Sequence, residues 1–228
     1  MSAFFEHYFP NVIMYGDDIV TSFWQTVVMV AISFAFVVVL GTLLGILLVV
    51  ISPGHIYENS ALNATIPKIV NFMRSIPFIV LITMLLPVTR IIVGTGIGVR
   101  GAIVPMVIGH IPFFARQVEQ ALLEVDPGKI EMAQSIGLTR PAIVSSVLLR
   151  ESRFSLMRIT TLMAISQVNL SAMAGAVGGG GLGQMAIQYG FSQYMFDIAV
   201  VTLLLLVAIV YFLQLLGNLT LKLSTHRQ

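Results

Sequence analysis

The sequence predicts an all-helical integral membrane protein with about five transmembrane helices, and two observations lead to this prediction. Hydrophobic residues make up 57% of the 228 residues and charged residues only 10%, with a mean hydropathy of +0.95. Soluble domains carry about 25% charged residues, so membrane lipid suits this surface better than water does. The stretch from Thr26 to Ile51 has no charged residue and is long enough for a helix to cross a bilayer.

Apolar stretches of sufficient length predict five spans within a single transmembrane domain that covers residues 1–228. The spans are expected at about 22–51, 66–88, 101–123, 155–177 and 195–216. Ser52-Pro53-Gly54 is expected to end the first span. The fourth span is the least apolar, because it contains Gln167 and Asn169.

The basic residues predict how the chain crosses the membrane. An odd number of spans places the two termini on opposite sides, and Lys and Arg favour the cytoplasmic side. With the N-terminus outside, ten of the 12 Lys and Arg residues fall in cytoplasmic segments, and only Arg90 and Arg100 fall outside. The sequence therefore predicts an external N-terminus and a cytoplasmic C-terminus.

The longest cytoplasmic segment is predicted to fold into a helical elbow at about 126–150. Asp126-Pro127 is typical of an N-cap followed by proline at the first helical position. A short helix is expected over 128–136, and Gly137 stands where a helix C-terminus favours glycine.

Thr139 is expected to cap a second elbow helix that runs from Arg140 to about Leu149. The apolar positions of each helix fall on one side: Ile130, Ala133 and Ile136 in the first, Ile143 and Val147 in the second. These positions need something to pack against. Spacing alone leaves two interpretations open, which are an elbow lying on the membrane surface and an elbow docked to a partner.

Two glycine patterns have a structural and a functional interpretation. Gly178, Gly180 and Gly183 fit G-x-G-x-x-G, but a dinucleotide site needs this turn between a strand and a helix. Here the pattern follows a span, which favours a flexible outer connection or a break where backbone lines a translocation path. Gly41 and Gly45 form G-x-x-x-G, which predicts close helix packing within one chain or between two, and packing within the chain is favoured.

Several segments resemble a known family of transport proteins. Glu131-Met132-Ala133, followed by Gly137 and Val147-Leu148-Leu149, resembles the EAA loop of binding-protein-dependent ABC importers. Further segments are similar to the methionine-uptake permeases of that family. They are Arg74 to Ile79, Pro87 to Thr95, Ser171 to Gly178, Gly181 to Gln184, and Gln188 to Gly190.

This resemblance implies a fold, a function and a set of partners. The fold is that of a type I ABC importer permease in the bacterial cytoplasmic (inner) membrane, and the cargo is an amino acid, most simply methionine. The partners are a second copy of the chain, two ATPase subunits on the cytoplasmic face, and an extracytoplasmic substrate-binding protein. ATP is expected on the ATPase chain, since no G-x-x-x-x-G-K-[ST] motif occurs in this sequence.

The resemblance also assigns roles to individual residues. Glu131, Ala133 and Gly137 are expected to couple the elbow to the ATPase. Ser171 and Met173 are expected in the translocation path or at its gate, where the thioether of Met173 suits a sulfur-containing cargo.

Other classes of protein are less consistent with the sequence. The chain has no cysteine, which excludes disulfides and thiolate metal sites, and we expect no catalytic residue, bound cofactor, metal site or nucleic-acid partner. An ion-coupled secondary carrier typically needs acidic residues within its spans and inverted repeats, and neither is found. A membrane scaffold, or an importer of a different small polar substrate, remains an alternative.

Overall fold

The computed structural model describes residues 8–225, and most of them are helical. The α-helices are α1 (Pro10–Met14), α2 (Gly16–Val50), α3 (Ser60–Ser75), α4 (Phe78–Met84), α5 (Leu86–Val93), α6 (Gly98–Leu123), α7 (Pro127–Ser135), α8 (Arg140–Ile143), α9 (Leu149–Glu151), α10 (Arg153–Ala174), α11 (Gly181–Met185) and α12 (Phe196–Thr225). Wider π-helical turns lie at Val144–Leu148 and Ala186–Phe191. The segment Gly175–Gly179 is kinked, because Val177 and Gly178 depart from helical backbone angles. The predicted all-helical fold class is confirmed.

Four helices in the described part of the chain are long and apolar enough to cross a membrane. They are α2, α6, the stretch Arg153–Gly179 that begins with α10, and α12. The first begins at Gly16 and the last reaches Thr225, so both are longer than the sequence predicted. Asp17 and Asp18 occupy the first turn of α2, where the helix dipole favours acidic side chains.

The second predicted span, at 66–88, is not one continuous helix. The chain bends by 101° between α3 and α4, and the count reaches five spans when this bent pair is taken as one. The cause is local, because Pro77 disfavours the helical conformation at the residue before it. Ile76 accordingly adopts an extended backbone with ψ of 122°.

The described residues form two compact units, and each long span contributes to both. The first unit comprises 8–35, 77–107 and 164–215. Its interior is built from three clusters of buried apolar side chains, centred on Met29 and Met106, on Val168 and Leu182, and on Met185. Helices α2, α6, α10 and α12 contribute to these clusters, which fix the positions of the connecting segments.

The second unit comprises 36–76, 108–163 and 216–225, and in it α2 packs closely against α6. A Cβ atom at Gly41 would lie 2.8 Å from the Phe114 ring, and one at Gly45 would lie 2.6 Å from Val118. Only glycine permits this approach, so the predicted G-x-x-x-G packing within the chain is confirmed.

Large apolar side chains also cover the outside of α2 and α12. Phe36, Leu43, Leu204 and Phe212 are each more than half exposed, and many of their neighbours are similar. A water-soluble protein does not leave helices apolar all round, whereas lipid makes such a surface favourable.

Candidate functional site

The first candidate site is the elbow between α6 and α10, and its first arm is α7. The carboxylate of Asp126 accepts a hydrogen bond of 2.8 Å from the Gly128 amide, which confirms the predicted N-cap. Ile130 and Ala133 are buried on the inner side of α7. The arm ends at Gly137, whose φ of +80° lies in the left-handed region that glycine adopts without strain.

The second arm runs from α8 through a π-helical turn to α9. Thr139 occupies the predicted N-cap position, although its side chain makes no capping hydrogen bond. Ile143 and Leu148 are almost completely buried and fasten the arm to the rest of the second unit. The Arg140 guanidinium lies 5.1 Å from the centre of the Tyr57 ring, a cation–π contact with the loop that follows α2.

One apolar side chain of the first arm is placed differently from the prediction. Ile136 was expected to share a buried side with Ile130, but it is 70% exposed. The reason is that α7 ends at Ser135, so Ile136 belongs to the turn and not to the helix face. Together with Met132 and Leu138 it forms an exposed apolar patch, which we call the elbow patch.

Polar contacts join the base of the elbow. Lys129 on α7 forms an ion pair with Glu151 at the end of α9. This contact raises the pKa of Lys129 and lowers the pKa of Glu151, through the hydrogen bond first and the charge attraction second. The Ser155 hydroxyl donates a 2.7 Å hydrogen bond to Glu124, which connects α10 to the segment after α6. The first contact thus joins the two arms, and the second joins the two ends of the chain segment that carries them.

The structure gives each predicted coupling residue a distinct setting. Glu131 is exposed on α7, Ala133 is buried beneath it, and Gly137 forms the exposed turn between the arms. Along the chain, each of the three is next to a residue of the elbow patch. The geometry therefore combines a rigid inner side with an exposed apolar and acidic outer side.

The second candidate site is the glycine-rich segment between α10 and α12. Gly180 and Gly181 adopt left-handed backbone conformations, with φ of +86° and +75°. The Gln25 side chain accepts a 2.8 Å hydrogen bond from the Gly181 amide, and the Thr26 hydroxyl accepts one of 2.9 Å from Leu182. Helix α2 therefore satisfies backbone amides that the break would otherwise leave unpaired.

Beside this segment lies a polar cavity of about 500 Å³ within the first unit. We call it the α2 cavity, because Asp18, Ser22 and Gln25 of α2 form one wall. Gln184 and Gln188 line it as well, and the Gln184 amide donates to Gln188 at 3.1 Å. This cavity was not predicted from the sequence. The only signal was three glutamines next to apolar spans, and two of them are four residues apart.

The predicted path residues lie on α10. Ser171 is buried, and its hydroxyl donates a 2.7 Å hydrogen bond to the Val168 carbonyl of its own helix. Met173 is 43% exposed. Neither residue is among those that line the α2 cavity.

The family of the chain follows from its comparison with known proteins. The model of the family described as "binding-protein-dependent transport system inner membrane component" matches residues 38–225. The chain belongs to this family. The predicted resemblance and the predicted inner-membrane location are thereby confirmed. Since the matched range begins within α2 and ends with α12, it contains the whole elbow and the glycine-rich segment.

Relatives of this inner membrane component share most of its length. This chain is 44% identical over 212 residues to the probable D-methionine transport system permease protein MetI of Vibrio cholerae. The match covers 93% of this chain and 94% of that protein. The chain is 40% identical over 215 residues to the methionine import system permease protein MetP of Bacillus subtilis, covering 94% and 96% respectively.

Solved transporters have the same fold. The inward-facing MetNI methionine ABC transporter in its native crystal form matches with a TM-score of 0.88 and 44% identity, over 92% of this chain and 96% of that one. An amino acid ABC transporter solved with histidines has a TM-score of 0.72 at 18% identity, which is a likeness of fold alone.

Proposed function

We propose that this chain is the membrane permease subunit of an ATP-driven importer of methionine. The observation that carries the proposal is the 40–44% identity, over at least nine-tenths of each chain, to permeases named for methionine transport. Similarity that extends through every span and connection leaves no room for a different architecture. It favours the importer over the ion-coupled carrier and the scaffold that the sequence left as alternatives.

The elbow is, in this proposal, the part that receives movement from a separate ATPase subunit at the cytoplasmic face. The elbow patch offers apolar side chains that need a partner, and Glu131 offers a charge beside them. The small side chain of Ala133 allows the inner side of α7 to pack closely, and Gly137 permits the turn between the arms. This assignment requires the predicted orientation, with the N-terminus outside and the C-terminus in the cytoplasm.

The proposed second copy of the chain follows from the number of spans. A path for a polar cargo must be enclosed, and four or five spans of one chain are few for this, so two copies of the permease are proposed to enclose it. Two ATPase subunits then act on two elbows, and an extracytoplasmic binding protein delivers methionine. ATP on the ATPase subunits supplies the free energy. The contribution of this chain is to switch its spans between two arrangements.

Ser171 and Met173 are proposed to lie along the path or at its gate. Ser171 keeps its hydroxyl bonded to its own helix, so it contributes a small side chain rather than a free donor. Met173, which is partly exposed on this chain, is available to close against the second copy.

Uptake of labelled L-methionine in cells with and without this chain tests the proposal. Deletion should abolish uptake, and the intact gene should restore it, in a strain with no other methionine importer. Competition by D-methionine and by other amino acids then defines the substrate. Unchanged uptake on deletion would overturn the methionine assignment.

A further inference from the structure

The α2 cavity has the size and lining of a site for a small polar molecule. Its volume of about 500 Å³ falls within the range of roughly 300–1,000 Å³ that ligand pockets occupy. Its lining comprises seven polar side chains, four glycines and two apolar side chains. All of them belong to the first unit, so the cavity is complete within one copy of the chain.

One wall of the cavity carries a negative charge. Asp18 is exposed in the first turn of α2 and lines the cavity, whereas the adjacent Asp17 does not. No lysine or arginine is among the lining residues that the structure describes. The carboxylate of Asp18 therefore remains available to an ammonium group that enters the cavity.

Other walls carry amide groups that suit a carboxylate. Gln25 uses its carbonyl oxygen to hold the Gly181 amide, which leaves its NH2 group as a donor. Gln188 uses its carbonyl oxygen to accept a hydrogen bond from Gln184, which likewise leaves its NH2 group as a donor. Each side chain has its oxygen engaged in a hydrogen bond, so its NH2 group is the part that keeps hydrogen-bonding capacity for a ligand.

The cavity also offers an apolar surface and close backbone access. Ile97 and Met185 are the apolar lining side chains, and Met185 belongs to a buried cluster that holds it in place. Gly178, Gly180 and Gly181 line the same space, so a ligand can approach their backbone without meeting a Cβ atom.

We propose that the α2 cavity is a binding site for the zwitterionic head group of the amino acid cargo, with Asp18 on the ammonium and the amides of Gln25 and Gln188 on the carboxylate. The proposal rests on the proposed function, because the cargo is the source of the ligand. The proposal places a binding site for the cargo near the start of α2, separate from the proposed path residues Ser171 and Met173 of α10. A zwitterion fits the lining better than an anion, which Asp18 would repel, or an apolar ligand, which would leave Asp18 and the NH2 groups of Gln25 and Gln188 without a partner.

Thiol protection tests this site directly, since the chain has no cysteine of its own. Ser22→Cys introduces one thiol on the cavity wall by exchanging an oxygen for a sulfur. Ser192→Cys is the matched control, because Ser192 lies in the first unit but not among the cavity's lining residues. The permease–ATPase complex in lipid nanodiscs, without the binding protein, is treated with a small thiol reagent, and the rate of modification is measured with and without L-methionine.

Methionine should slow the modification of Ser22→Cys and leave Ser192→Cys unchanged. At a free concentration of about twice its Kd, the unliganded fraction and hence the rate should fall about threefold. Adding Asp18→Asn should remove the protection, whereas Asp17→Asn should keep it. The deaminated analogue 4-(methylthio)butanoate should not protect, because it lacks the group that Asp18 binds.

Equal rates with and without methionine in Ser22→Cys, or equal protection in Ser192→Cys, would overturn the site. Protection that survives Asp18→Asn would overturn the assignment of the ammonium to Asp18. Uptake of methionine in cells carrying the unmodified chain is measured in parallel. Intact uptake without protection rejects the cavity alone, whereas absent uptake rejects the proposed function itself.

Discussion

Replacing Gly137 with valine should reduce the transport obtained per ATP hydrolysed. Gly137 has φ of +80°, and no atom lies within 4 Å of the place that a Cβ would take. The Cβ atom itself therefore meets no neighbour, and the cost is set by the strain of an L-residue in the left-handed region, which is at least about 1–2 kcal/mol for β-branched valine. This strain corresponds to roughly a 5- to 30-fold loss in the population of the native turn relative to other backbone conformations. The two arms would then move independently more often.

Gly54 provides a matched control for this variant. It has φ of +78° and equally open surroundings, but it lies in the loop after α2 and outside the elbow. Proteoliposomes that contain the permease, the ATPase and the binding protein allow methionine uptake and phosphate release to be measured together. Gly137→Val should lower the ratio of uptake to release, and Gly54→Val should keep it, although both carry similar strain. A wild-type ratio in Gly137→Val would refute the role of this turn in coupling.

Two further predictions concern packing and charge. Gly183→Ala places a Cβ 2.4 Å from the Ala172 carbonyl oxygen. The thermal midpoint of the complex should therefore fall by the equivalent of about 1–3 kcal/mol. Gly16→Ala is the control, because its Cβ meets no atom within 4 Å, and it should not lower the midpoint. Lys129→Glu should loosen the elbow in hydrogen-exchange measurements, and the double variant with Glu151→Lys should restore its protection. The lowered pKa of Glu151 means that the pair stabilises the elbow above the ordinary carboxyl pKa of about 4.3 and loses this effect as pH falls through the lowered value. The raised pKa of Lys129 means that the effect persists below the ordinary lysine pKa of about 10.4 and is lost as pH rises through the raised value. Protection of the elbow should therefore be constant across neutral pH and weaker in high salt.

Features with a local cause could be predicted from the sequence. The spans follow from apolar length, and the first elbow arm follows from Asp126 and Gly137, whose effects act within a few residues. The close packing at Gly45 could also be predicted, because small residues four apart share one helix face.

Features that depend on distant partners could not be predicted. Pro77 explains why the helix breaks at this point, but whether it bends slightly or by 101° depends on what the two halves pack against. The hydrogen bond between Gln25 and Gly181 joins residues 156 positions apart, so neither segment alone carries a signal for it. The α2 cavity exists only once these segments meet, so the residues of either segment alone do not predict it.

The stability of the elbow and its proposed coupling role depend on different side chains, and this separation makes the coupling proposal testable. Ile130, Ile143 and Leu148 are buried, and each such side chain contributes about 1.5–3 kcal/mol relative to exposure in water. The exposed pair of Lys129 and Glu151 contributes far less, because water screens it. Variants of the pair should therefore leave the elbow folded, so that a change in transport per ATP reports how the elbow moves. We expect an elbow with a packed interior and a small exposed apolar patch to move as one body, as the proposed transmission of rigid-body movement requires.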